Sequence, residues 1–255
     1  MEFLTTACTD IGTVKQTNQD SMCIKMAKCD MGNILMAVLC DGMGGLSKGE
    51  VASATVVKAF ASWFDQRLPV LLPSFSAENV CIEWDRLIQE LNKKIGDYGR
   101  SNYTSLGTTL TVILIVDAVS MIVGHVGDCR VYQIDDELQI LTEDQTVVMR
   151  DVRRGVLSEK QAENDPRKNV LLQCIGASIS VSPDFFTHVP VPGNVYMLCS
   201  DGFRHEITPE EIFMHFKPEI LISEEVMRQQ SESLIALNKE RMERDNISVI
   251  LIHPY

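Results

Sequence analysis

Five aspartates fall where extended apolar segments begin or end: Asp20, Asp41, Asp128, Asp201 and Asp245. Asp41 closes the run Ile34–Cys40 and precedes Gly42; Asp201 follows Val195–Ser200 and precedes Gly202. Asp128 follows Ile122–Gly127, Asp245 precedes the last apolar stretch, and Asp20 stands just before the second. A sheet can bring such strand ends together from distant parts of a chain. Gathered carboxylates repel one another unless they are protonated or hold cations. An oxygen-only donor set, with no Cys or His, selects hard metals such as magnesium, manganese or calcium. Two such ions about 3.5–4 Å apart serve phosphoryl hydrolysis by supplying a hydroxide near neutral pH and neutralising phosphoryl charge. A glycine beside an aspartate lets a backbone carbonyl approach the metal as well, a role open to Gly42. Taken singly, each Asp-Gly is as well read as a turn.

The elements that would position these residues follow from periodicity. Extended segments are predicted at Leu4–Thr9, at Ser21–Ala27 (alternating Met22, Ile24, Met26) and at Ile34–Cys40. Ser47 with Glu50 reads as a capping box for a helix carrying Val51, Ala54, Val57, Phe60 and Phe64. A second helix is predicted over Glu78–Gly96. Two hairpins follow, Gly107–Val116 with Val119–Val126 and Cys129–Ile134 with Glu137–Leu141. Residues 143–180 are charged and irregular, with a short capped helix at Ser158–Glu163. Strands at Phe185–Val191 and Asn194–Cys199, a helix opened by Thr208-Pro209-Glu210-Glu211, a helix over Ser223–Met242 and a strand over Asn246–Ile252 complete the chain. The pattern predicts an α+β fold of helices packed on sheets.

The chain's 255 residues suit one domain, and 45% hydrophobic residues suffice for a sizeable core. A net charge of −12 argues against a nucleic-acid backbone as partner. No stretch is apolar for long enough to span a membrane. Met1–Thr6 shows no charged region leading into an apolar core, so a cytoplasmic protein is expected. The eight cysteines form no Cys-x-x-Cys and are expected to be reduced thiols, with Cys40 and Cys199 in the core.

Six fragments, in order, make the sequence recognisable. They are Thr9–Asp20, Val38–Gly45, Ser105–Thr109, Gly124–Tyr132, Leu198–Gly202 and Arg244–Ser248. Together they resemble the metal-dependent serine/threonine protein phosphatases of type 2C in their short bacterial form, over nearly the whole chain. The resemblance implies one domain over 1–255: a central antiparallel β-sandwich flanked by paired helices, four layers in α-β-β-α order. Residues 143–180 would be a flap subdomain beside the site. It implies two manganese or magnesium ions, with a third, weaker one at Asp128. Asp41 would bridge the two, the Gly42 carbonyl would bind one, and Asp201 and Asp245 would hold the other. Asp20 would act directly or through a coordinated water. A bridging hydroxide would then attack the phosphorus in line, which makes Asp41, Asp201 and Asp245 the catalytic set.

Some residues depart from the pattern. Lys15 stands where the family usually has a phosphate-binding arginine, so a point charge replaces a planar fork and weaker substrate binding is expected. Gln19, Gln145 and Asp165 occupy places where glutamate, histidine and histidine are common. His125 reads as structural, His205 as a solvated loop residue, and Arg130 as a partner for an acid. The function implied is hydrolysis of phosphoserine and phosphothreonine in proteins, by a monomer opposing a serine/threonine kinase. A second reading, motivated by Lys15, is a weakly active or inactive member that binds a phosphoprotein or kinase. A third is a hydrolase of the same fold that resets a phosphorylated anti-sigma-factor antagonist.

Overall fold

The computed structural model describes residues 1–44 and 48–255. The chain runs β1 (Phe3–Asp10), β2 (Ser21–Cys29), β3 (Gly32–Cys40), β4 (Gly42–Gly44), α1 (Gly49–Gln66), α2 (Leu68–Leu71) and α3 (Ala77–Ser101). It continues through β5 (Leu106–Thr108), β6 (Leu110–Val116), β7 (Ser120–Val126), β8 (Arg130–Ile134), β9 (Leu138–Ile140), α4 (Val147–Arg153) and α5 (Glu159–Glu163). It ends with β10 (Asp184–His188), β11 (Val195–Cys199), α6 (Asp201–Arg204), α7 (Pro209–Phe216), α8 (Glu224–Glu240) and β12 (Ile247–Pro254).

Two antiparallel five-stranded sheets form the centre, ordered β1-β12-β11-β8-β9 and β10-β7-β6-β3-β2. Alternation decides what faces what. Leu35, Ala37 and Leu39 of β3 pack between the sheets against Tyr196, Leu198, Ile250 and Ile252. Their neighbours Ile34, Met36, Val38 and Cys40 turn outward onto Val56, Phe60, Trp63 and Trp84 of α1 and α3. On the other sheet Met197, Cys199, Val249 and Leu251 meet Ile212, Phe216, Met227 and Leu234 of α7 and α8. Strands covered on both faces need continuous apolar runs, which is why Ile34–Cys40 carries no polar residue. The layers are therefore helix, sheet, sheet, helix, as the resemblance implied.

Several boundaries differ from the periodic reading. The predicted strand 107–116 divides at Thr109, because the Thr109 amide donates to the Asp41 carbonyl (2.9 Å) and its hydroxyl accepts the Asp41 amide (2.8 Å). Residues 106–108 pair instead with β4. The predicted cap Ser47 lies outside the described residues; α1 opens at Gly49 behind Lys48, whose φ is +89°. Within 143–180 the structure adds α4, capped by Thr146, to the capping box found at Ser158. No helix is long and apolar enough to cross a membrane among the described residues.

Candidate active site

The strand ends converge at one end of the sandwich. Ser21 pairs with Cys40, which sets Asp20 and Asp41 side by side at the outer lip of their sheet. The other sheet delivers Asp201 just past β11 and Asp245 just before β12. Asp128 lies in the turn where the chain passes from β7 in one sheet to β8 in the other. A cleft of about 350 Å³ is lined by Lys15, Asp41, Gly42, Asp128, Asp201 and Asp245, with Gln19, Thr109, Asn169 and Leu171. Asp20 does not line it. Its carboxylate is buried beneath, with Oδ2 accepting the Ser248 hydroxyl at 2.6 Å and Oδ1 lacking any hydrogen-bond partner among the described residues.

Crowding is visible in the protonation balance. Burial, together with the charges of Asp20, Asp201, Asp128 and Asp245, holds Asp41 well above the carboxylate range. Burial and the Asp201 and Asp245 charges push Asp20 up to about 7, against the pull of its Ser248 hydrogen bond. Asp128 also reaches about 7, through burial and Asp201, with the Arg204 guanidinium opposing. Each shift marks a carboxylate short of positive charge.

Backbone clamps hold these groups. The Asp41 carbonyl accepts the Thr108 hydroxyl as well as the Thr109 amide. Gly42 is enforced by space, since a Cβ there would collide with the carbonyls of Gln19 and Gly49. Gly12 has φ +78°, and a Cβ would strike the Asp245 carbonyl, so the loop bearing Lys15 can lie against the Asp245 segment only with glycine at this position. The buried Asn246 side chain ties the same two segments. It accepts the Gln19 amide at 2.9 Å and donates to the Ile11 and Thr17 carbonyls.

Lys15 reaches into the cleft and forms an ion pair with Asp245 (Nζ to Oδ1 2.7 Å). Burial lowers its pKa, but the Asp245 hydrogen bond and the Asp41 and Asp201 charges outweigh it, so the amine is held cationic above its usual value. Behind Asp128, Arg130 grips both oxygens of Asp144 (2.8 and 2.9 Å), as expected of a structural pair. Arg204 joins them, donating to Asp144 Oδ2 and to the Asp128 carbonyl. Gln145 is not idle either: its side-chain oxygen accepts the Gly127 amide, and its backbone N–H donates to the Gly127 carbonyl. His125 is a core residue, buried and bonded to Thr111 at 3.0 Å. Asp165 pairs locally with Arg167.

His205 corrects the sequence reading. It is not a solvated loop residue: its side chain is 19% exposed and lies between two carboxylates, Nε2 3.5 Å from Asp201 Oδ2 and Nδ1 3.4 Å from Glu243 Oε2. Burial works against its charge, but the Glu243 hydrogen bond and the Asp201 charge raise its pKa overall.

The donor set fits hard divalent cations. It is all oxygen, it is over-supplied with negative charge, and it includes a buried carboxylate oxygen, Asp20 Oδ1, with no donor among the described residues. Among the described residues no three His, Cys, Asp or Glu side chains close into a ready all-protein cage. Ions of the magnesium type do not require one, since they keep several waters and take one or two carboxylates each.

The sequence profile described as "Protein phosphatase 2C" matches residues 12–237. The chain belongs to the protein phosphatase 2C family. It is similar to the serine/threonine phosphatase stp of Listeria monocytogenes, 30% identical over 247 residues, which cover 96% of this chain and 93% of that one. Among solved structures, the S. agalactiae serine/threonine phosphatase superposes with a TM-score of 0.85 at 29% identity, covering 100% of both chains. The catalytic domain of the serine threonine protein phosphatase PstP, solved in complex with two manganese ions, gives 0.78 at 27% identity, covering 98% of this chain and 97% of that one. Within this 2C-family chain, Thr108, Thr109 and Asn246 support the site without having been singled out from sequence. All three lie inside the fragments that carried the resemblance, so the signal was present but their partners were not.

Proposed function

We propose that this 2C-type serine/threonine protein phosphatase hydrolyses phosphoserine and phosphothreonine in proteins at the aspartate cleft, with two divalent cations, manganese or magnesium. Asp41 and the Gly42 carbonyl would hold one ion, Asp41, Asp201 and Asp245 the other, and Asp128 a weaker third. Asp20 would support them from beneath. When bound, such ions supply a hydroxide at neutral pH and neutralise charge on the phosphoryl oxygens. The observation that carries the reading is the convergence of Asp41, Asp128, Asp201 and Asp245 from both sheets onto one cleft.

The chain's own groups have separable tasks. Lys15 offers the phosphate an ammonium at the cleft wall and keeps one hand on Asp245. Asn169 and Leu171 bring the segment 143–180 to the cleft wall, which suits a flap that influences which phosphoprotein enters. The net charge of −12 disfavours nucleic acid as partner. The natural counterpart is a serine/threonine kinase whose products this monomer reverses in the cytoplasm. The Lys15–Asp245 pair favours one second reading, a slow member that holds a phosphoprotein longer than it processes it.

Phosphate release from a phosphothreonine peptide tests both. Release that requires manganese or magnesium, and is abolished by chelator and by Asp201→Asn, is the expected outcome. Silence from folded, cation-replete protein that still binds the peptide would replace the enzyme with the binding module.

A further inference from the structure

One buried side chain is linked to both aspartates of the second sheet, to Asp245 directly and to Asp201 through His205. Glu243 is 4% exposed. Its Oε1 accepts the amides of Arg244 (2.7 Å) and Asp245 (2.8 Å), fixing the turn that presents Asp245. Its Oε2 faces His205 Nδ1 at 3.4 Å, and the opposite ring nitrogen of His205 faces Asp201 Oδ2 at 3.5 Å. The other Asp201 oxygen accepts the Gly202 amide at 2.6 Å. Both oxygens of Asp201 therefore have neighbours that set their direction.

The geometry points to Glu243 and His205 as a brace that holds Asp201 and Asp245 in register for cation binding. This rests on the proposed reading of the cleft. Neither residue lines the wall shared by the four cleft aspartates, so both act through the carboxylates and are positioning residues. The backbone is shaped for this contact. Met242 adopts φ +65°, a conformation unfavourable for methionine, and Glu243 follows it directly. The Thr13 hydroxyl bonds the Glu243 carbonyl, and the Glu243 amide donates to the Asn238 carbonyl, so the brace is anchored to the loop before Lys15 and to the end of α8. An outer group that orients a ligand typically governs metal affinity by about 10–100-fold. An imidazole between two carboxylates also fixes which edge of Asp201 is turned away from the ring.

The test is a titration of manganese chloride alone, followed by calorimetry and by the thermal midpoint, on wild type, His205→Ala, Glu243→Gln and the double variant. Glu243→Gln keeps a carbonyl oxygen for the two amides, so folding is retained. Each single variant is expected to raise the manganese concentration at half-saturation by about 10–100-fold. The double variant should lose little more than the worse single one, because the two residues act as a unit. Saturating manganese should restore most of kcat, with KM for the phosphopeptide unchanged. A purely structural role would lower the thermal midpoint of the cation-free protein and leave half-saturation within twofold of wild type, which overturns the brace. If wild type itself takes up no manganese, the cleft reading fails and the brace with it. If wild type binds and the variants match it, the brace alone fails.

Discussion

Lys15 holds two obligations at once, an ion pair with Asp245 and a place on the cleft wall. A lysine ammonium meets a phosphate as a point charge, whereas a guanidinium meets it with two parallel donors. Lys15→Arg is therefore expected to lower KM for a phosphothreonine peptide about 3–10-fold, a gain of about 0.7–1.4 kcal/mol, comparable to the net worth of one ordinary hydrogen bond, with little change in kcat. A higher KM would show that the lysine is the better fit here. Asp41→Asn and Asp201→Asn should each lower kcat by about 100-fold or more, since a cation's charge stabilisation amounts to several kcal/mol. Phosphate release at matched, saturating manganese checks this. The aspartates were legible from sequence because a carboxylate at the end of an apolar run is a local signal. His205, Glu243 and Asn246 were not, because each does its work on residues remote in sequence or through backbone atoms. Only folding places the Asn246 amide against the Ile11 and Thr17 carbonyls.

Between residue and molecule stand the junctions that hold strand ends at fixed spacing. The Asp144 carboxylate gathers Arg130 and Arg204 behind Asp128, with the Tyr132 hydroxyl completing the group. Asp144→Asn would leave two largely buried guanidinium groups short of a counter-charge. Breaking such a buried arrangement costs about 3–5 kcal/mol, so a fall in thermal midpoint of roughly 10 °C is expected for a chain of this size. Differential scanning calorimetry of the cation-free variant measures it; a fall of only a degree or two would mean that water reaches these groups freely. Gly12→Ala combines a positive φ with a clash against the Asp245 carbonyl, so it should weaken both folding and manganese binding. Strand and helix identities were readable from periods of two and 3.6, because burial on one or both faces writes them into the sequence. The break at Thr109 and the helix α4 were not, since the first answers a tertiary hydrogen bond and the second is too short to show a period.

For the whole molecule, the crowded carboxylates tie stability to pH and, on the proposed function, to cations. Asp20 and Asp128 titrate at about 7 in the folded protein, against a reference value of 3.8 for a free side chain. The folded state thus holds protons that the unfolded state has released between those values, and stability contributed by these groups declines as pH rises from about 4 to about 7. In chelator, the thermal midpoint should be higher at pH 5.5 than at pH 8, and this slope should shrink in Asp128→Asn. On the proposed reading manganese is held by the ionised carboxylates, so its stabilisation should be larger at pH 8. At one hundred times its dissociation constant it contributes about 2.7 kcal/mol, or roughly 5–10 °C. Equal gains at both pH values would show that the cations bind elsewhere.

The aspartates are divided between the two sheets: Asp20 and Asp41 hang from one, Asp201 and Asp245 from the other, and Asp128 sits on the crossing between them. Neither sheet owns a complete centre. A half-docked intermediate with every helix and strand already formed would still be catalytically silent. During refolding from denaturant, turnover should return only with the last step, when the layer of Leu35, Leu39, Tyr196 and Ile250 closes. Recovered catalysis would then time the docking of the two halves, lagging behind the recovery of circular dichroism.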